Sequence, residues 1–361
     1  MSISKYIREI GRGKEGARAL NAEQAQDLMT QVLEGRVTDL EVGAFALAMR
    51  IKGETPAELA GFLAATQVHC LAPTVPAAQD AQAVRTPVWL PSYNGARKLP
   101  NLTPLLALLL ARVGVPVLVH GPLADPGRVT SAEIFQALGL TIARDAAEAE
   151  QAWQRNEPVF MPTEVLCPPL ARLLAVRRVV GLRNSGHTVA KVLLPALASA
   201  DGDAAGDRQV FRVVNHTHPE YAELLTGFLA QTQADAMLLR GTEGEPVADA
   251  RRTPRMEVFL RGESNDVFSV PAREGVLTQL PELPRLCDAA TTASYISAVL
   301  KRELATPGPI AQQVDSLLRA LQPTPAGAPA GAGRSAGTKR PAGADHPSAQ
   351  SFSTPHHESI A

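Results

Sequence analysis

The stretch Leu90-Pro91-Ser92-Tyr93-Asn94-Gly95-Ala96-Arg97-Lys98-Leu99-Pro100-Asn101-Leu102-Thr103-Pro104 decides how this chain reads. The apolar run 88–90 leads into it and an apolar helical segment, 102–112, leaves it, so it stands where a strand hands over to a helix. In an α/β protein that junction is the usual home of an anion-binding loop. A loop that grips phosphate with its own N–H groups needs several positions without a Cβ, so that the backbone can close on the ligand. This loop holds one glycine, with Arg97 and Lys98 beside it. Long cationic side chains suit a phosphate that arrives on a polymer.

The same alternation continues outward. Strand-like runs at 115–120, 210–214 and 236–239 are interleaved with helical patterns at 131–138 and 222–229, which predicts a central, mainly parallel sheet with helices on both faces. Upstream, residues 1–70 read as all-helical. Asn21 caps a helix beginning at Ala22, Thr38-Asp39-Leu40-Glu41 opens another that Gly53 ends, and Thr55-Pro56 starts a third running through Phe62, Ala65 and Val68. The expected architecture is therefore α/β: a small all-helical N-terminal domain (1–70), an Ala/Pro/Gln-rich linker (71–84) and a large α/β domain (85–322). Asp201-Gly202-Asp203-Ala204-Ala205-Gly206-Asp207 reads as an exposed loop. Residues 323–361 are rich in Pro, Ala, Gly and Ser and too poor in bulky apolar side chains to offset their ordering entropy, so they read as a disordered, passive tail, Lys339-Arg340 included.

With 361 residues, 45% of them hydrophobic, the chain can bury a large core. Cys70, Cys167 and Cys287 are few, odd in number and widely spaced, which predicts no disulfide framework and a reducing cytoplasm. Charges alternate with apolar residues through Lys5, Arg8 and Glu9, and no secretion signal is expected there. The most apolar stretch, 102–119, is interrupted by Arg112, Gly114 and Pro116, so no membrane span is expected. Net charge is −1, but its distribution is uneven. Residues 1–20 carry a local balance of +3, and residues 84–130 and 161–195 carry +4 each, while acids gather in 133–157 and 220–249. Segregated charge makes a directional field even when the total is near zero.

Pro168-Pro169 opens an arginine-dense segment in which Leu170, Leu173 and Leu174 share a face. On a continuous helix Arg172 and Arg183 fall together on the far side, Arg178 at the edge of the leucine face and Arg177 within it as a candidate ion-pair partner. Gly181 is the natural stop before Arg183. Other constellations lack the spacing their chemistry needs. His216 and His218 with His69-Cys70 form no compact ligand pattern, so no metal is expected. Ser92 and Ser185 have no visible base partner, so no catalytic residue is assigned. His120, ending a buried strand, reads as a core histidine.

A set of ordered motifs carries a resemblance. They are Ile10-Gly11-Arg12-Gly13-Lys14, Tyr93-Asn94-Gly95-Ala96-Arg97-Lys98, Asn101-Leu102-Thr103-Pro104-Leu105-Leu106, His120-Gly121, Gly181-Leu182-Arg183-Asn184-Ser185, His218-Pro219-Glu220 and Gly241-Thr242-Glu243-Gly244-Glu245. Across residues 1–320 the chain resembles the nucleoside phosphorylase/anthranilate phosphoribosyltransferase superfamily (glycosyl transferase family 3), and within it the YbiB-type nucleic-acid-binding proteins. Its departures from the enzymes are specific. The transferases' Gly-Thr-Gly-Gly-Asp diphosphate loop is replaced by Pro91 to Gly95, so that loop is not expected to form. Val119 stands for a lysine, and Pro122 and Leu123 stand for Asn-Arg after His-Gly. Pro246 and Val247 stand for the acid pair that carries magnesium, leaving Asp249 as the one replacement acid nearby. Arg183 matches an arginine that contacts the aromatic acid in the transferases, but Asn184, Gly186 and His187 depart from the pattern that follows it.

The resemblance implies a homodimer through the small helical domains, joined in space by part of 165–192, with no cofactor. The expected function is non-catalytic, largely sequence-independent binding of DNA, with RNA as a second polyanion, in the cytoplasm. Lys5, Arg12, Lys14, Arg97, Lys98, Arg128, Arg172, Arg178, Arg183 and Lys191 are the candidate phosphate contacts. Aromatic residues make up only 4% of the chain, which leaves base stacking a minor source of affinity. Two rivals stay open: an active phosphoribosyltransferase, and a protein-binding scaffold that keeps the old cleft for a small regulator.

Overall fold

Three of the first five helices begin on reciprocal caps that the sequence spells out locally. In the computed structural model the elements are α1 (Ser4–Ile10), α2 (Gly13–Gly16), α3 (Ala22–Leu33), α4 (Asp39–Lys52) and α5 (Pro56–Gln67). Asn21 Oδ1 accepts from Gln24 N at 2.8 Å while Asn21 N donates to Gln24 Oε1 at 3.1 Å; Thr38 with Glu41 and Thr55 with Glu58 repeat the box. Each box satisfies two N–H groups that a helix start leaves without partners. The apolar faces meet around Leu28, Met29, Leu59 and an edge-to-face pair, Phe45 and Phe62, with ring centroids 5.9 Å apart. The structure describes residues 2–75, 86–197, 210–275 and 280–322. Most of the expected 71–84 linker, the loop 201–207, the tail 323–361 and the Lys14 side chain lie outside the described residues.

The larger part runs β1 (Val88–Pro91), α6 (Thr103–Ala111), β2 (Val117–Gly121), α7 (Ser131–Ala137), α8 (Ala146–Gln154), β3 (Val159–Pro162), α9 (Thr163–Leu166), α10 (Pro168–Ala175), α11 (Arg177–Val180), α12 (Ser185–Val192), β4 (Phe211–His216), α13 (Pro219–Gln231), β5 (Ala236–Arg240), β6 (Met256–Leu260), β7 (Glu263–Ser264), α14 (Ala289–Leu300) and α15 (Gly308–Ala320). Among the described residues the strands form one sheet in the order β3-β2-β1-β4-β5-β6-β7. Neighbours are parallel from β3 to β5, with Val88 opposite Val117 and Phe211, and antiparallel at β5–β6 and β6–β7. The antiparallel β6–β7 hairpin turns through Arg261-Gly262, both at positive φ (+50° and +79°), a glycine turn that the sequence reading passed over.

Alternation along β1 divides the core in two. Val88 and Leu90 face α6, α7, α14 and α15, whereas Trp89 faces the other way, stacked on Trp153 at 5.8 Å and continuous with the core of the helical bundle. Helices on both faces are what a buried parallel sheet needs. The bundle docks through α10 against α3 and α12 against α4 and α5. A backbone bond from Leu71 N to Leu166 O, 2.7 Å, ties its end to α9.

The arginine-dense segment differs from the single helix read in the sequence. Val176 makes a tightened bond, its N–H to Leu173 O at 3.3 Å, and α11 ends at Gly181 in a left-handed conformation, φ +76°. The tightened turn shifts the phase of the residues after it. Arg177 is exposed instead of lying within the leucine face, and Arg183 is off the helix altogether, in the turn before α12.

Candidate functional site

The sheet reverses its winding between β1 and β4, and in doubly wound sheets ligands gather at the carboxyl ends of strands at such a point. Here the loop after β1 meets the turn after β5. Glu245, 1% exposed, accepts hydrogen bonds from the N–H groups of Asn94 (2.8 Å) and Gly95 (2.6 Å), from the Ser92 hydroxyl and from Thr103 Oγ1 (3.3 Å). Glu243 accepts from the N–H groups of Arg97 (2.6 Å) and Lys98 (3.0 Å). Burial pushes the Glu245 carboxyl up, and these donors oppose that shift.

Two sequence expectations are corrected by this arrangement. The loop does form an amide cradle, because an anion tethered on the same chain needs only Gly95 at positive φ (+65°) instead of a run of glycines. The cradle is filled by the protein's own carboxylates. Gly244 makes the approach feasible: a Cβ there would sit 1.7 Å from Asn94 Nδ2. Ser92 does have a carboxylate beside it, and its Oγ also lies 2.7 Å from Ser131 Oγ. At 3% exposure that hydroxyl is shut away from any substrate.

Around the filled cradle sit cations. The Arg97 and Lys98 side chains are exposed. Arg128 Nη1 donates to Gly95 O at 3.3 Å, and Arg183 Nη1 donates to Asn94 Oδ1 at 2.9 Å. Burial, then the neighbouring Arg177 and Arg128, lower the Arg183 pKa. Arg177 thus belongs to this cluster, which the sequence reading did not include. Asn184 sets the turn that aims Arg183: its Oδ1 caps α12 at Gly186 N (2.9 Å) and its Nδ2 donates to Leu173 O (2.8 Å). Lys191, on α12, is pushed down to about 8, chiefly by burial and then by Arg183, with Glu245 opposing.

The remaining candidates lie apart from the loop. Arg172 donates to Leu33 O at 3.2 Å, and Arg178 is exposed on α11. Lys5 is 3.6 Å from Asp27 and over the Tyr6 ring, and Arg12 pairs with Glu9 at 2.9 Å. Among the described residues, Arg97, Lys98, Arg128, Arg172, Arg178, Arg183 and Lys191 have no carboxylate oxygen within 4.0 Å.

Between the bundle and the sheet lies a cavity of about 750 Å³, lined by Arg50, Glu54, Arg183, Lys191, Asn215, His218 and Tyr221 among others. Asn215 is fully buried on its wall, with neither side-chain atom hydrogen-bonded among the described residues. His120 is also fully buried. Its Nδ1 is 3.0 Å from the Tyr93 hydroxyl, and burial holds its pKa down to about 3.

The acids do not fit a magnesium site. Glu243 and Glu245 are committed to amides, Pro246 and Val247 offer no carboxylate, and Asp249 is paired with Arg251 (2.9 Å) and Arg252 (3.6 Å). Among the described residues no group of three or more His, Cys, Asp or Glu side chains is placed to hold a metal ion.

In the sequence, Glu243 and Glu245 stand within a motif of the resemblance but were given no role, and Asn215 was not included. The Glu245 to Gly95 contact spans 150 residues, and no local pattern reports such a distance. Two glutamates flanking Gly244 were the available signal.

Residues 4–70 match the model of the glycosyl transferase family, helical bundle domain. The uncharacterized protein YbiB of Escherichia coli K12 is 40% identical over 300 residues, covering 83% of this chain and 88% of that protein. The chain belongs to the YbiB family. Anthranilate phosphoribosyltransferase from Methanosphaerula palustris is 28% identical to this YbiB-family chain over 240 residues, 66% of each protein. The crystal structure of anthranilate phosphoribosyltransferase from Thermus thermophilus superposes with a TM-score of 0.60 at 21% identity, covering 87% of this chain and 86% of that one. The YbiB-family fold seen here, a helical N-terminal domain plus an α/β domain with a mostly parallel sheet, is that of the anthranilate phosphoribosyltransferases.

Proposed function

We propose that this protein binds nucleic acid without catalysis, holding the phosphate backbone of DNA, and of RNA, with little sequence preference. The observation that carries the reading is the set of cationic side chains without carboxylate partners among the described residues. Arg97, Lys98, Arg128, Arg183 and Lys191 cluster about one loop, and Arg172 and Arg178 extend the set. Arginines that serve the fold usually pair with acids, whereas unpaired ones suit an anion brought by a partner. The amide cradle supports the same reading, because its four N–H groups are already engaged by Glu243 and Glu245. Contacts to phosphate carry no sequence information.

The same reading includes a homodimer formed through the helical bundle, which would double each basic patch about a two-fold axis. Leu40 (84% exposed), Leu47 and Ile51 stand at i, i+7 and i+11 on α4 and form an uncovered apolar stripe. Val179 (90% exposed) and Leu182, beside the arginine-dense α11, are apolar and uncovered as well.

Electrophoretic retardation of random-sequence DNA tests the function. The wild type retards single- and double-stranded probes alike, and the double charge reversal Arg97→Glu/Lys98→Glu weakens binding by at least ~100-fold. Retention of binding by that variant refutes the assignment of the loop. The retained cavity favours one alternative, an active phosphoribosyltransferase. Saturable binding of phosphoribosyl pyrophosphate with magnesium in a calorimeter would establish it, and no heat beyond dilution is the result expected here.

A further inference from the structure

The two carboxylates in the loop are held very differently. Glu245 is buried and accepts from four donors. Glu243 is only half-buried, and its carboxylate touches just the N–H groups of Arg97 and Lys98, with no ion pair among the described residues. Its backbone is in the left-handed region, φ +52°, which a residue with a Cβ adopts only when its surroundings impose it. Asn94 is the restraint: its Nδ2 donates to Glu243 O at 3.0 Å, while its Oδ1 accepts from Arg183. The two N–H groups under Glu243 belong to the residues whose side chains are exposed cations.

We propose that Glu243 is an internal competitor for phosphate. On this account, which rests on the nucleic-acid reading above, an incoming phosphodiester displaces the Glu243 carboxylate and takes its place on the Arg97 and Lys98 amides. The same phosphate is then held by backbone N–H groups and by the two cationic side chains at once, a combination that loop amides and side chains regularly supply to phosphate. The released carboxylate remains within the field of Arg251, which already feels it. Glu245 stays in place and keeps the inner half of the cradle closed. Because Asn94 links Glu243 to Arg183, a phosphate that draws Arg183 away loosens the restraint on Glu243 as well. The device keeps resting affinity low and restricts tight binding to ligands with enough charge to win the exchange.

The test follows the Arg97 and Lys98 amide signals of the ¹⁵N-labelled full chain by NMR during titration with a short single-stranded oligonucleotide, together with retardation by Glu243→Gln and by a control, Glu164→Gln. Glu164 is an exposed acid on α9 that touches no loop amide. Both wild-type amide signals move on binding, Glu243→Gln binds about tenfold more tightly than wild type, and the control changes affinity by about twofold or less. Salt-sensitive wild-type binding with unmoved amide signals, or equal effects of the two variants, overturns the competitor role and leaves nucleic-acid binding standing. Failure of the wild type to bind any probe overturns both. The wild-type amide signals decide the matter even if Glu243→Gln does not fold.

Discussion

Lys191 titrates close to the working pH range. Burial lowers its pKa to about 8, with Arg183 adding to the shift and Glu245 opposing it. It is therefore charged below that pH and loses its proton above it. If Lys191 contacts phosphate, affinity weakens by about tenfold as pH rises from 7 to 9 at constant ionic strength. Lys191→Arg, which stays charged throughout, flattens that profile in retardation assays, and a profile unchanged by the substitution removes Lys191 from the interface. Glu58 is a stability counterpart far from the loop. Its carboxylate is fully buried, accepts from Lys52 Nζ at 2.6 Å and from the N–H groups of Leu20 and Thr55 at 2.9 Å, and so joins three segments of the bundle. Glu58→Ala leaves the buried Lys52 ammonium with no carboxylate, only Gly53 O at 2.8 Å, and takes the acceptor from the N–H groups of Leu20 and Thr55. Denaturant unfolding should show a loss of roughly 3–5 kcal/mol.

At the scale of elements, α4 carries apolar residues on two faces. Phe45, Ala46 and Met49 are buried within the bundle, while Leu40, Leu47 and Ile51 remain outside it. Replacing Leu40 and Leu47 with glutamate should convert a dimer to a monomer in sedimentation velocity without loss of helical circular dichroism, and an unchanged sedimentation coefficient would contradict the dimer. The starts of α3, α4 and α5 were legible in the sequence because a capping box is written within four residues. The parallel strands β1, β2, β4 and β5 were legible because a strand buried on both faces is a continuous apolar run. The antiparallel edge, β6 and β7, was not read: Glu257 and Glu263 break the apolar pattern, and the glycine turn Arg261-Gly262 that joins the two strands was the one local signal for them. The phase of α11 was lost for a comparable reason: a single tightened turn at Val176 reorients the arginines, and neither proline nor glycine marks it. The candidate site was half legible. Arg97 and Lys98 could be chosen at the strand-to-helix junction, Arg128 and Lys191 from the basic stretches 84–130 and 161–195 and Arg183 from the resemblance, whereas the glutamates that fill the loop reach it from a turn about 150 residues away.

Over the whole molecule, a net charge of −1 conceals an uneven distribution of sign along the chain. Acids pair locally, as Glu148 does with Arg144 and Asp249 with Arg251, while the cations of the loop region have no such partners among the described residues. On the proposed reading, binding of a polyanion releases its counterions, and the number released sets how steeply affinity depends on salt. The proposed phosphate-binding role would be a second use of the fold that the anthranilate phosphoribosyltransferases share. The most direct test of this account is the affinity of the full chain for a random-sequence DNA duplex measured between 50 and 200 mM salt. With ~6–10 phosphates neutralised, affinity falls by roughly 10³–10⁵ over that range, whereas a flat response, or no binding at the lower salt, would contradict it.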